Sequence, residues 1–552
     1  MKGDFTRDTF DPLKHFSRVL MQQGRVTLDA DANEQSAILL HYVRTLARDL
    51  IGPYAAPFDD QGFVLTPQGS NVMINHGRCY VGGILAENDQ DCLYWKSESD
   101  TDTLLPAQPN YPVPKEDDLR NELAKTQHNA TYWLYLDVWE QHITPVEDDS
   151  IREKALGGPD TCTRAKVVWQ VKAIDTDQII TRLNNLLGKL GANAPEQLKN
   201  DINTFNNDIK RSQIGPSDCA VPLHLFSSLS DASLTARVDS GVKTEDPCVT
   251  PPASKYRGAE NQLYRVEIHR GGIAWDGSRD EKGSPAGNID TAASFEWSRN
   301  NGSVVTAWLD SNGNDLQVAS TRGFAAGNWV ELSDDNSELL GQPGVLVQLV
   351  KVEGDALSVD AATTLPARSN YPANPKVRRW DQIATEAVTL ATDNAIPIQE
   401  SPVWIDLEDG VQIQFSADGE YRTGDYWLIP ARVATGNVEW PQTDGANPQP
   451  KPLPPHDIEH HYAPLGFIWW GAGGMQIQLC GCIFHPLSSC AGFYARPLPG
   501  DIVISDEPRP APLAPPPTPP TPRPAAPRPK ASKGRTRRGK TGPSSPAEGA
   551  PS

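Results

Sequence analysis

Cysteine is sparse, with eight residues in a chain of 552, and no apolar leader precedes them. The opening Met1-Lys2-Gly3-Asp4-Phe5 lacks the hydrophobic core of a Sec signal, so synthesis in the cytoplasm without Sec export is expected. Eight cysteines in such a chain do not read as a disulfide framework. Long hydrophobic runs are missing as well. The uncharged stretch Tyr462–Ala495 is broken by Gly471-Ala472-Gly473-Gly474 and by two prolines, whereas a membrane helix needs roughly 20 predominantly apolar residues. It reads instead as two strands, Leu465–Trp470 and Met475–Leu479, around the glycine turn, and no membrane span is expected. Catalytic signatures are absent too: the sequence holds no nucleophile elbow, phosphate loop, dinucleotide fingerprint or His-Glu-x-x-His.

What is abundant is turn chemistry. There are 49 prolines and 43 glycines, which favour short strands over long helices. The net charge of −20 is unevenly spread: Pro508–Ser552 holds nine Lys/Arg against one acid, leaving about −28 on the body before it. An acidic body argues against a nucleic-acid-binding core. At this length two to four domains are expected.

Along the chain, residues 1–52 read as an extended arm followed by an amphipathic helix, Asn33–Ile51. Asp29 or Asp31 is its cap, and Ile38, Leu39, Tyr42, Val43, Leu46 and Leu50 lie on one face. Residues 53–175 form a β-rich domain, and 212–300 return to it after an inserted helical hairpin at 176–211. The narrow stripes of that hairpin suggest a surface excursion whose removal leaves the rest folded. A small β barrel or sandwich is expected at 301–375 and a C-terminal β-rich domain at 376–504. The turns at Gly327 and Gly424 share a design, each followed by an aromatic residue that opens a strand. Residues 505–552, Pro-rich and basic, cannot bury enough apolar area to offset ordering entropy and should be disordered. The fold class is thus mainly β: several small sandwich or barrel-like domains, with an arm and helix, a helical hairpin and a disordered tail.

Several clusters invite a chemical reading, each with a plain alternative. Cys480, Cys482, His485 and Cys490 offer the donors of a tetrahedral zinc site, but Cys-x-Cys is tighter than the usual ligand gap. Ordinary thiols are preferred, and no metal or other cofactor is expected. His456, His460 and His461 read as a polar loop. Asp334, Asp335, Asn336 and Glu338 lack the spacing and glycine of a calcium loop. Paired acids such as Glu147-Asp148-Asp149 together with 14 tryptophans leave a carbohydrate-active hydrolase as one rival reading, although sequence cannot pair any two acids. In the arm, Phe5, Phe10 and Phe16 lie among basic residues that include Arg18 and Arg25. This pattern suits an assembly contact with an acidic partner; an arm wrapped on its own domain is the alternative.

Longer stretches carry a family resemblance. They are Lys2–Arg7 with Val19–Val26 and Leu28–Asp31; Leu136–Glu140 with Ile151–Glu153 and Ala155–Thr161; Tyr256–Gly258 with Glu260–Glu267; Phe295 and Trp297–Arg299 with Asn301–Val304; and Gly424–Arg432. Together they resemble an uncharacterised bacterial family encoded beside phage-tail and baseplate genes, notably in extracellular contractile injection system clusters. The resemblance implies a non-enzymatic structural or accessory component of a tail-like particle, at the baseplate, spike periphery or fibre attachment, with other particle proteins as partners. A module binding a glycan or cell-surface receptor is the second reading.

Overall fold

A computed structural model of the protein describes residues 1–485 apart from 97–103, 126, 129, 212, 227–231, 240–255, 280–285, 384–389, 400–402, 417–418, 446–447, 457 and 472. Cys490 and the tail 505–552 lie outside the described residues. The fold is mainly β, built from several sheets with one closed barrel, a long N-terminal helix and a helical hairpin.

The first sheet is made by the strands Gly474–Leu479, His461–Gly471, Tyr132–Ile143 and Arg164–Asp175, in that order. Gly471 pairs with Gly474, so the glycine turn closes a hairpin as the sequence reading expects. Tyr132–Ile143 is apolar on both faces, which requires cover on both sides. Leu134, Leu136 and Val138 enter one core with Phe63, Val72 and Ile84 from smaller sheets. Trp133 and Tyr135 face the opposite way and meet Phe467.

That second face is covered by the helices Thr176–Leu190 and Glu196–Arg211, which bury Ile179, Leu183, Leu198, Ile202 and Phe205 against it. The hairpin is therefore not a surface excursion. Its stripe is narrow because only one ridge per helix is needed to cap a sheet face already rich in aromatic rings. A disulfide from Cys219, just beyond the hairpin, to Cys480, just beyond the sheet's last strand, ties the same layer.

The second unit is a sandwich. A five-stranded sheet contains the neighbouring strands Ser294–Ser298, Gln262–Arg270 and Tyr426–Arg432, and it packs on a three-stranded sheet that includes Leu234–Val238 and Val411–Phe415. The third is a closed six-stranded barrel running from Val305–Asn312 to Lys376–Trp380, around Trp308, Leu316, Val330, Leu332, Leu349 and Val377. Gly327 and Gly424 take φ values of +90° and +88° before the strands Trp329–Ser333 and Tyr426–Arg432, the conformation the shared turn requires.

Sheet membership cuts across the linear partition expected from sequence. His461–Gly471 pairs with Tyr132–Ile143, Tyr426–Arg432 with Gln262–Arg270, and Val411–Phe415 with Leu234–Val238. Residues 376–504 therefore do not form a domain of their own. The barrel extends past 375, because Lys376–Trp380 is the strand that closes it.

Candidate functional site

Where the three units meet, a cavity of about 570 Å³ is lined by many charged side chains together with apolar and aromatic ones such as Trp139, Phe226, Leu339, Leu340 and Ile458. Its walls follow from strand alternation. On Gln262–Arg270, Tyr264, Val266 and Ile268 enter the sandwich core, so Arg265, Glu267 and His269 point the other way. On Ser294–Ser298, Phe295 and Trp297 enter that core, leaving Glu296 on the cavity side. Across the cavity, Val330, Leu332 and Val377 fill the barrel, so Glu331, Ser333 and Arg378 face out of it. The barrel's outer face thus meets the sandwich's outer face, and charges that alternation alone would give to solvent are buried.

The N-terminal arm seats into this seam. The Met1 amino group donates to the Tyr426 hydroxyl at 2.9 Å. Burial and the nearby Arg265 guanidinium lower that amino group to about 4, although the Met1 side chain remains 40% exposed. Lys2 reaches Glu267 at 3.0 Å and lies over the Trp380 ring. Asn301 Nδ2 donates to the carbonyls of Met1 and Gly3, Arg432 donates to the Thr6 carbonyl, and Arg7 pairs with Glu439. Arg265 stacks its guanidinium 3.6 Å from the Tyr426 ring centroid. Burial alone would raise the Glu267 carboxyl, yet Arg265 and Lys2 hold it well below the carboxylate range.

Two acid clusters stand at the seam. In one, Lys376, fully buried, extends its ammonium to Glu147 at 2.6 Å, Glu338 at 2.9 Å and Asp335 at 3.0 Å. Burial opposes ionisation of Glu147, but Lys376 and the Thr144 hydroxyl bring it down to about 2. In the other, His269, Glu296 and Glu331 each present a ligand-type atom, all within 4.8 Å of one another. Burial opposes the charge on His269, yet Glu296, 3.4 Å away, and Glu331 raise it to about 9, while burial, reinforced by the Glu331 carboxylate, pushes the Glu296 carboxyl up. On the remaining wall, Asp137 binds Lys172 at 2.8 Å and His460 at 2.6 Å, with Trp139 stacked on His460.

Of the residues singled out from sequence, Glu147, Asp335, Glu338 and His460 come to this seam and the others fall elsewhere. Phe5 meets His142 edge-on and Phe10 lies 5.6 Å from the His41 ring, both half-buried, while Phe16, Arg18 and Arg25 are exposed. The zinc-type set is not assembled: the Cys480 sulfur is bonded to Cys219, Cys482 is an exposed free thiol, and His485 lies against Phe58. Of the other flagged acids, Asp334 caps the short helix Asp335–Leu339, and Asp335 and Glu338 hold Lys376. Sequence reasoning passed over Arg265, Glu267, His269, Glu296, Glu331 and Lys376. Their only signal was a charged residue at every second position of otherwise apolar strands.

The most exposed apolar surface lies beyond the seam. In the helix Asp29–Ile51 only Ala30 and Ile38 are buried, while Leu39, Leu40, Tyr42, Val43, Leu46 and Leu50 are exposed. The preceding segment adds Leu13, Phe16, Leu20, Met21 and Val26. Asp29 does not cap the helix but accepts two hydrogen bonds from Thr6, fixing the arm to the helix start. No helix of the described residues is long and apolar enough to cross a membrane.

Among known proteins, a profile described as a family of unknown function, DUF6519, matches residues 1–215 and 199–551. No curated protein matches the chain. A solved structure described as the crystal structure of TssK aligns at 9% identity over 72% of this chain and 98% of that chain, with a TM-score of 0.13, too low to bear on fold or function.

Proposed function

The chain belongs to DUF6519, a family of unknown function, and on that premise we propose that it is a structural or accessory component of a phage-tail-like contractile injection particle, placed at the baseplate, spike periphery or fibre attachment. The observation that carries this reading is the exposed apolar ribbon of residues 13–50. Its start is clamped to the body by residues 1–7 and its helix is held by the Arg44–Glu140 pair and the buried Ile38, so it is held in place yet uncovered. Contiguous exposed apolar surface of this kind marks a protein–protein contact. Residues 13–28 carry Lys14, Arg18 and Arg25 and no acid, which suits an acidic face of a neighbouring particle subunit.

The stretches behind the sequence resemblance support the same reading. Lys2–Arg7, Glu260–Glu267, Asn301 and Gly424–Arg432 are far apart in the chain, but they meet at the arm's seat. Their joint work is to fix the arm rather than to activate a nucleophile. The test is co-purification with sheath and baseplate proteins. The double variant Tyr42→Glu/Leu46→Glu changes only exposed side chains, so it should keep the melting temperature and lose the association. Undiminished association would refute the reading.

A further inference from the structure

We propose that His269, Glu296 and Glu331 bind one divalent transition-metal cation at the seam between sandwich and barrel. The three residues come from three strands, Gln262–Arg270, Ser294–Ser298 and Trp329–Ser333, so a bound cation would join the two β units. Their candidate ligand atoms lie within 4.8 Å of one another, so side-chain shifts of up to about an ångström would bring them onto a cation with bonds of about 2.0–2.2 Å.

Two further features point to a ligand. His269 and Glu296 have side chains only 4% and 2% exposed and line the cavity; His269 Nδ1 and Glu296 Oε2 face each other at 3.4 Å without hydrogen-bond alignment, and neither atom has another hydrogen-bond partner. Buried polar atoms in a folded protein are rarely left so poorly matched. Glu331 is meanwhile pre-set: its two carboxylate oxygens accept from the Gly344 amide at 2.9 Å and the Trp380 indole at 3.1 Å. Outer partners of this type orient a metal-binding carboxylate.

The neighbouring cluster provides an internal comparison. Glu147, Asp335 and Glu338 come equally close together, and there the ammonium of Lys376 fills the centre. At His269, Glu296 and Glu331, no lysine or arginine fills the centre among the described residues, and His269 itself faces Glu296 at 3.4 Å. Lys2 and Arg265 are turned to Glu267, and Arg378 donates to the Gly302 carbonyl. One imidazole with two carboxylates suits zinc, manganese or iron(II) better than calcium or magnesium, which prefer all-oxygen sets. Further coordination positions open on the cavity.

The full chain, stripped with chelator, would be titrated with Zn²⁺ and separately with Mn²⁺, reading bound metal by elemental analysis after gel filtration together with the melting temperature. One ion per chain and a raised melting temperature are expected. His269→Gln and Glu296→Gln should each weaken binding at least tenfold, since even outer-shell changes cost about 10–100-fold. Glu338→Gln, in the other cluster, should leave binding unchanged. X-ray absorption on the Zn²⁺-loaded native chain should give a nitrogen/oxygen shell with imidazole scattering, which decides the matter even if a variant fails to fold. No bound ion, binding intact in both ligand variants, or sulfur in the metal shell would overturn the proposal.

Discussion

Lys2 lies 3.0 Å from Glu267 with its ammonium over the ring of Trp380, so a residue at the start of the chain is held jointly by the sandwich and the barrel. The pair is largely buried, at 19% and 11% side-chain exposure. Lys2→Met should weaken the arm's seat by about 1–3 kcal/mol, the scale of a buried hydrogen bond left unmade, with Arg265 still holding Glu267. Residues 1–28 would then be cleaved faster in limited proteolysis, while the strand core stays resistant.

Lys376 should be far less tolerant of change. Lys376→Met leaves three carboxylates facing one another without a cation, and removing one partner of a buried ion pair costs about 3–5 kcal/mol. Glu338 is 28% exposed, so Glu338→Gln should cost only about 1 kcal/mol. Urea midpoints of the two variants measure the contrast directly.

Acid should destabilise the seam through several groups, the Met1 amino group, His142 and Glu147 among them. Burial, the Met1 amino group and Arg378 lower His142 to about 3, below the unfolded value of about 6.5. The folded state therefore binds fewer protons there, and stability falls as pH drops below about 6.5, by up to about 1.4 kcal/mol per unit. Glu147, depressed to about 2, adds its own loss once pH falls below about 4.5. His142→Gln removes the His142 contribution only. Between pH 6.5 and 4.5 its melting temperature should fall less steeply than that of the native chain.

The helical hairpin should prove to be core. Phe205 is fully buried against the sheet face that carries Trp133 and Phe467. Phe205→Ala should cost about 3–5 kcal/mol. Deleting residues 176–211 would strip the cover from that face, and the cooperative melting transition should be lost.

These sites differ in how far the sequence betrayed them. The hairpin at Gly471 and Gly474, the strands opened by Trp329 and Tyr426, and the helix ending at Ile51 rest on local period and turn chemistry, and local chemistry is what a sequence displays. The seam does not. Alternation on Gln262–Arg270 says that Arg265, Glu267 and His269 share a face, but it assigns that face to water, because nothing local says that a barrel will pack over it. The helix Asp29–Ile51 is the opposite case: its period puts the apolar residues on one face, but nothing local says that the fold leaves most of that face uncovered. The Cys219–Cys480 link spans 261 residues and depends on the hairpin lying over the sheet, which no spacing rule encodes.

The most direct measurement is hydrogen exchange on the free chain and on the chain within purified contractile particles. The account predicts slowed exchange on assembly in peptides covering residues 13–28 and 36–50. Peptides from the barrel core, such as 345–353, should stay unchanged. Unchanged exchange across residues 13–50 in the particle, or particles that lack the chain altogether, would contradict it.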